Sequence, residues 1–214
     1  MTNEKLEEYI EIYNSGKWTV PMSSFQISPN VEVAQVWDRL PTGEVCNEES
    51  YRFFFIKNEI ECVAIVLEMD TYDIHWLVSK KYRKQGYLYK ALRDSILPFL
   101  FDDERTEQRA SANTYDNAAY LLRQGFKKRV ENGQTAYYLS GSDVNEYDES
   151  HLQRCPLSID ELKKVKHELR RIAGEARIVR DKLECAYGHD GGLNEIASRL
   201  CSYALDLEFI FDTP

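Results

Sequence analysis

Short apolar runs separated by turn residues fill the chain from residue 51 to residue 140, and a heptad spacing takes over beyond residue 158. The runs "YRFFFI", "ECVAIVLEM" and "YDIHWLV" predict three consecutive strands. The middle one is apolar at almost every position, as expected of a strand covered on both faces. Lys57-Asn58-Glu59 supplies a hairpin turn between the first two. Leu88, Tyr89, Leu92, Ile96 and Leu97 follow helical spacing, and Pro98 is expected to end that helix. "EQRASAN" predicts a fourth strand, and "NAAYLLRQ" a short helix stopped by Gly125. "FKKRV" and "TAYYLS" flank Glu131-Asn132-Gly133-Gln134, an Asn-Gly hairpin. These elements predict a mixed α/β domain over residues 1–141.

The first forty-five residues carry weaker signals. Leu6, Tyr9, Ile10 and Tyr13 share one face of a helix that Asn14-Ser15-Gly16 ends. Beyond it, Ser28-Pro29 opens a second helix or "VEVAQVW" forms a strand, and Pro41-Thr42-Gly43 is a turn either way. Residues 142–157 are polar and aperiodic, which predicts a linker. In residues 158–214, Leu162, Val165, Leu169, Ile172, Ala176, Val179, Leu183 and Ala186 step by three and four. Leu193, Ile196, Leu200, Tyr203, Leu207 and Ile210 do the same after a glycine-rich turn. Two such seams predict an antiparallel, coiled-coil-like helical hairpin. A unit of that size buries too little to stand alone, so it packs on the α/β domain, on a second copy or on a protein partner.

Composition narrows the function classes. A formal charge of −9 and a pI near 5.1 argue against nucleic acid as a partner, since phosphate neutralisation dominates such binding. No run approaches a membrane span, and the acidic, amphipathic N-terminus is unlike a secretory signal. Five cysteines with no CxxC spacing fit reduced thiols in a cytoplasmic protein, and Cys62 is expected as an inert core thiol. Lys163, Lys164, Lys166, Arg170 and Arg171 are interspersed with acids, as on a solvated helix face.

Against this acidic background, "VSKKYRKQGYLYKAL" stands out, with five cations in fifteen residues. A strand, a basic turn, a lone glycine and a helix start are either an anion site or only the solvated start of a helix, and elementary physics provides for the first. The helix start leaves N–H groups without intrahelical partners, and Gly86 lets a phosphate approach the backbone. Lys80, Lys81, Arg83 and Lys84 add a diffuse positive field. Neither GxxxxGK[ST] nor GxGxxG is present, which sets aside a nucleotide P-loop and a dinucleotide fold.

"DIHWLVSKKYRKQGYLYKAL" resembles the signature of the GNAT superfamily, the GCN5-related N-acetyltransferases, through Val78, Arg83 and Gly86 at their spacing. "SANTYDNAAYLLRQGFKK" resembles the second block of that family, an Asn followed by a short helix ending in Gly125-Phe126, and the closing hairpin also fits. The resemblance covers roughly residues 51–140 and implies a GNAT-like mixed, mostly antiparallel sheet flanked by helices. Leu88 stands where the family usually has Gly or Ala, and its side chain is expected to turn into the core. Leu121 stands where many relatives carry a thiolate-protonating Tyr, with Tyr120 one step away.

The resemblance implies an acetyl-CoA-dependent N-acetyltransferase that moves an acetyl group to a primary amine by direct attack, without a metal. Coenzyme A would contact Arg83, Lys84, Gln85, Gly86, Tyr87 and Leu88 with its pyrophosphate, Leu77 and Val78 with its pantetheine arm, and Asn113 or Asn117 near the thioester. The acceptor would be a small-molecule or peptide amine. Base candidates are Asp73, His75 and Glu68, with His75 suited by its ordinary pKa, and Tyr120 is the acid candidate. The alternative reading is a catalytically weak GNAT-fold module that binds CoA or acts as a scaffold, with the hairpin as an oligomerisation or partner-docking element.

Overall fold

The computed structural model describes residues 1–37, 39–40, 42, 50–69, 73–102, 105–112, 114–131 and 133–211. Two compact units divide the chain, Met1–Cys155 and Pro156–Pro214.

The first unit is built on a nine-stranded sheet. Its strands are β1 (Met22–Ser28), β2 (Val31–Val36), β3 (Tyr51–Lys57), β4 (Cys62–Met69), β5 (Asp73–Val78), β6 (Glu107–Ala110), β7 (Lys127–Glu131), β8 (Gln134–Ser140) and β9 (Gln153–Arg154). In space they run β7-β8-β6-β5-β4-β3-β2-β1-β9, antiparallel except for the β5/β6 pair. Strand β4 is buried from Cys62 to Leu67, because helices cover both faces of the sheet there. On one face lies α1 (Asn3–Ser15), whose Leu6, Tyr9 and Ile10 meet Phe53, Phe55, Ile65 and Leu67. Gly16, in the left-handed region at φ 67°, ends α1 as the sequence predicts. On the other face Phe54, Ile56, Val66 and Ile74 pack against α2 (Tyr87–Ala91), α3 (Leu97–Asp102) and α4 (Tyr115–Arg123). The order β5, basic loop, α2, β6, α4, β7–β8 hairpin is the order the resemblance implies, and the fold is GNAT-like.

Two expectations change, and one open alternative is resolved. Pro98 does not end the helix: a π turn over Leu92–Ile96 joins α2 to α3, which runs on to Asp102. A proline lacks the N–H and crowds the carbonyl four residues back, and a wider turn relieves both problems. Of the two alternatives left open beyond Ser28, the strand forms, over residues 31–36, with Pro29–Asn30 in the turn that pairs β2 with the unforeseen β1. The stretch expected as a linker, 142–157, folds back onto the sheet through Arg154. Val144, Tyr147 and Leu152 pack on the core, Tyr147 Oη donates to the Ile27 carbonyl at 3.1 Å, and β9 adds to β1.

The second unit is a helical pair, α5 (Ile159–Tyr187) and α6 (Leu193–Phe211), with Gly188 in the left-handed region after α5. Ser158 caps α5 in a reciprocal box with Glu161. The contact does not use the whole apolar seam. Leu162, Leu169 and Leu183 are half-buried with Leu193, Leu200 and Leu207, while Ala173, Ala197 and Ala204 are fully buried. Val165, Ile172, Val179, Ile196 and Tyr203 remain exposed. Alanines let helix axes approach closely, so the rows that carry them meet and the bulkier β-branched row is turned aside.

Candidate active site

The β5/β6 pair opens as it runs. Asp73 pairs with Arg109 and Ile74 with Ala110, and there β6 ends while β5 continues to Val78. On its other side β5 stays paired with β4 throughout. The Ser79 N–H donates to the Val63 carbonyl, which fixes the phase of this antiparallel ladder. Leu77, two residues back and opposite Ile65, therefore spends its backbone on β4. Trp76 and Val78 turn theirs toward the opening. Of the two residues expected to meet an extended ligand arm, Val78 thus turns its backbone to the opening, as Trp76 does, and Leu77 does not, although Leu77 is among the residues that line the cleft.

A cleft of about 830 Å³ occupies this opening. It is lined by His75, Trp76, Leu77 and Val78 from β5; Tyr82, Arg83, Lys84, Gly86, Tyr87, Leu88 and Tyr89 from the basic loop and α2; Thr114, Asp116, Asn117, Tyr120 and Arg123 from α4; and Asn3 from α1. Of the residues singled out in the sequence, His75, Leu77, Val78, Arg83, Lys84, Gly86, Tyr87, Leu88, Asn117 and Tyr120 come together here. Gln85 lines a separate cavity behind the loop and donates to the Lys81 carbonyl at 2.8 Å. Asn113 lies outside the described residues.

The loop resolves its cations into two groups. Lys81 pairs with Glu61 at 2.6 Å, and Tyr82 donates to the same carboxylate, so Lys81 is held away from the cleft. Arg83 and Lys84 line the cleft, and Arg83 Nε donates to the Val78 carbonyl at 3.2 Å. Gly86 sits at φ 83°, where an added Cβ would meet nothing within 4 Å, so the glycine serves the backbone conformation and leaves open space before it. The first bond of α2 runs from the Lys90 N–H to the Gly86 carbonyl, which leaves the N–H groups of Tyr87, Leu88 and Tyr89 ahead of the helical ladder. The Leu88 side chain is 7% exposed and belongs to the core, as expected.

The α4 helix places Leu121 in the core at 1% exposure and rotates Tyr120 into the cleft. Tyr120 packs on Trp76 with ring centroids 5.8 Å apart, and Gln124 Nε2 donates to its hydroxyl at 2.8 Å. With one lone pair so used, the Tyr120 proton remains free to be donated. Burial pushes its pKa up to about 12. His75 is half-buried, with Nε2 3.1 Å from Asn3 Oδ1. Its pKa lies below the ordinary histidine value, chiefly through burial and then through the Met1 ammonium, against the attraction of Asp73.

The other base candidates sit apart. Glu68 pairs with Arg52 at 3.1 Å and with Arg105, a buried ion cluster that ties β3 and β4 to the approach to β6. Asp73 is not among the lining residues; Ser111 Oγ donates to its Oδ2 at 3.1 Å, and burial raises its pKa. Its Oδ1 and Arg109 Nε have no hydrogen-bond partner among the described residues. Sequence reasoning missed Asn3, Trp76, Asp116 and Arg123. Asp116 and Arg123 share the Tyr120 face of α4 at helical spacing, a signal that is readable once that face is known to line the cleft. No group of side chains among the described residues could hold a metal ion, and no helix among them is long and apolar enough to cross a membrane.

The fold and cleft define a GNAT-like domain with an open β5/β6 pair. No family model matches the chain, and no curated protein matches it. Solved structures do resemble part of it. A protein assigned as a ribosomal-protein-serine acetyltransferase from Vibrio cholerae is 15% identical with a TM-score of 0.37, covering 54% of this chain and 97% of that one. A protein assigned as a streptothricin acetyltransferase from Bacillus anthracis, solved with acetyl coenzyme A, is 10% identical with a TM-score of 0.32, covering 56% and 96%.

Proposed function

We propose that this chain is an N-acetyltransferase that moves an acetyl group from acetyl-CoA to a primary amine by direct attack. The observation that carries the reading is the opening between β5 and β6, with backbone that no neighbouring strand pairs along one wall and helix-start N–H groups ahead of the helical ladder at its end. An extended chain bearing amides, such as pantetheine, completes the ladder that β6 abandons. A pyrophosphate suits the N–H groups after Gly86, and Arg83 exchanges the Val78 carbonyl for a phosphate oxygen as the arm enters. Arg83, Lys84 and Arg123 give the cleft a positive field against the carboxylate of Asp116, the one acid among its described lining residues.

The chemistry needs a neutral amine, a proton acceptor and a proton donor. Burial keeps His75 neutral at pH 7, so it takes the proton that the amine loses on attacking the thioester carbonyl. Tyr120, protonated at the same pH, gives its proton to the departing thiolate. Holding both reactants in one cleft supplies much of the remaining acceleration.

Acetyl-CoA at 100 times its Kd is expected to stabilise the chain by about 2.7 kcal/mol, read as a rise in melting temperature. Gly86→Glu, which sets a carboxylate against phosphate at a strained φ, is expected to abolish that rise while the unliganded circular dichroism spectrum stays unchanged. No shift of the unmodified chain at millimolar acetyl-CoA defeats the reading. Binding without acetyl transfer to any of a panel of polyamines, amino acids and peptide N-termini leaves a CoA-binding module in its place.

A further inference from the structure

Asn3 opens α1 and lies seventy-two positions before His75 in the chain, yet the two side chains meet in the cleft, with Asn3 Oδ1 3.1 Å from His75 Nε2. The helix start that carries Asn3 is fixed locally, since Thr2 Oγ1 accepts from the Lys5 N–H at 3.3 Å. An amide oxygen can only accept, so a hydrogen bond to Asn3 Oδ1 requires the hydrogen on the ring nitrogen that faces it. The other ring nitrogen then holds the lone pair.

We infer that Asn3 is a positioning residue that holds His75 in the Nε2–H tautomer, with Nδ1 as the atom that receives the amine proton. This rests on the acetyl-transfer reading for its consequence, while the tautomer stands on geometry alone. The resulting step balances. The amine nitrogen forms a bond to the acetyl carbon, the carbon–sulfur bond breaks, the amine proton goes to Nδ1, and the thiolate takes its proton from Tyr120. Without Asn3 the ring can rotate or exchange tautomers, and the lone pair is presented only part of the time. The second-residue pattern of β5 puts Asp73 on the same strand face as His75. Among the described residues the charged groups bearing on the ring are thus the Asp73 carboxylate, which raises its pKa, and the Met1 ammonium, which lowers it; the α1 side chain nearest to it, Asn3, is neutral.

Long-range proton–nitrogen NMR of the imidazole identifies the protonated nitrogen directly and needs no turnover. Nε2–H is expected in the unmodified chain, with tautomer averaging in Asn3→Ala. In the transfer assay, Asn3→Ala is expected to lower kcat by about tenfold or more, with KM for acetyl-CoA unchanged, since general base catalysis spans about a hundredfold to ten-thousandfold. Asn3→Asp keeps the acceptor and adds a negative charge, so the high-pH plateau of kcat is expected to be retained. The same charge raises the pKa of His75, and because the neutral ring is the active form, the acid limb moves to higher pH by about one unit. An Nδ1–H ring in the unmodified chain, or an unchanged kcat and pH profile in Asn3→Ala, overturns the inference. A chain that binds acetyl-CoA and transfers nothing defeats the proposed function instead, and the ring spectrum still decides the tautomer.

Discussion

The two units of this chain solve the same problem, the burial of an apolar pattern, with opposite means. Residues 1–155 enclose large side chains: Phe53, Phe54 and Phe55 are at 0% exposure, as are Ile65 and Leu67, with helices on both faces. Among the described residues of the helical pair, the only side chains buried to that degree are three alanines, while Ile172, Val179 and Ile196 stay 42%, 47% and 50% exposed. Burying an aromatic removes several times the apolar area that burying a methyl does. The first unit therefore draws its stability from a core, and the second draws a larger share from helix-local terms such as caps and charge pairs. The proposed site, which would hold His75, Tyr120 and a backbone opening in fixed relation, belongs on the first kind of scaffold.

The largest test of that contrast removes a core aromatic. Phe54 packs among Phe99, Val66 and the α2 side of the sheet, and Phe54→Ala is expected to destabilise the first unit by about 3–5 kcal/mol. Unit-resolved hydrogen exchange should show the loss in β3, β4 and β5, with α5 and α6 unchanged. Cys62 provides a second reading of the same event. It is 1% exposed, and burial pushes its thiol up to about 12, so it resists thiol reagents in the native state. Exposed Cys155 and Cys185 are expected to react at once in both proteins, with Cys62 labelled faster in the variant. Equal protection of Cys62 in both would argue that the first unit does not depend on its aromatic layer.

What was legible in the sequence divides along local and non-local lines. Strands β3, β4 and β5 announce themselves because each carries its own burial pattern, and the loop from Val78 to Gly86 because one glycine and its cations are contiguous. Strand β1 was missed because "MSSFQIS" buries only Ile27 completely. The returning segment was missed because Val144, Tyr147 and Leu152 dock singly, with no period between them. In α4 the acid candidate Tyr120 does line the cleft, one position from where the resemblance puts the family's Tyr, and the packing of Leu121 into the core is what sets that phase. Asn3 left no local trace, since its meaning lies in a contact with His75 far along the chain. In α5 the sequence shows one seam stepping by three and four, and which of its residues meet α6 depends on how closely two backbones approach.

That choice can be tested by overfilling it. Ala197 is at 0% exposure between the helices, and Ala197→Leu is expected to cost about 1–3 kcal/mol by forcing the axes apart. Ile196, its neighbour in sequence, is 50% exposed, and Ile196→Gln should leave stability within about 0.5 kcal/mol. Hydrogen exchange in α5 and α6 separates the two outcomes. A reversed ranking would mean that the helices meet through the whole seam that the sequence suggests, with Val165, Ile172 and Val179 included.

The smallest effect bears on the helix-local terms. Ser158 Oγ accepts from the Glu161 N–H at 3.3 Å, while the Glu161 carboxylate accepts from the Ser158 N–H at 2.9 Å. Thr114 caps α4 in the same way, accepting from the Asn117 N–H at 3.2 Å, but α4 also anchors Leu121 in the core. Either change to alanine is expected to remove about 1 kcal/mol. In Thr114→Ala that loss is set against a buried aromatic and aliphatic core, so exchange of the α4 interior stays slow and only its first turn frays. In Ser158→Ala no comparable core stands behind the helix, so faster exchange should spread along α5 and into α6. If fraying in Ser158→Ala stops within the first turn, the helical pair holds itself by packing after all, and the contrast between the two units is one of degree.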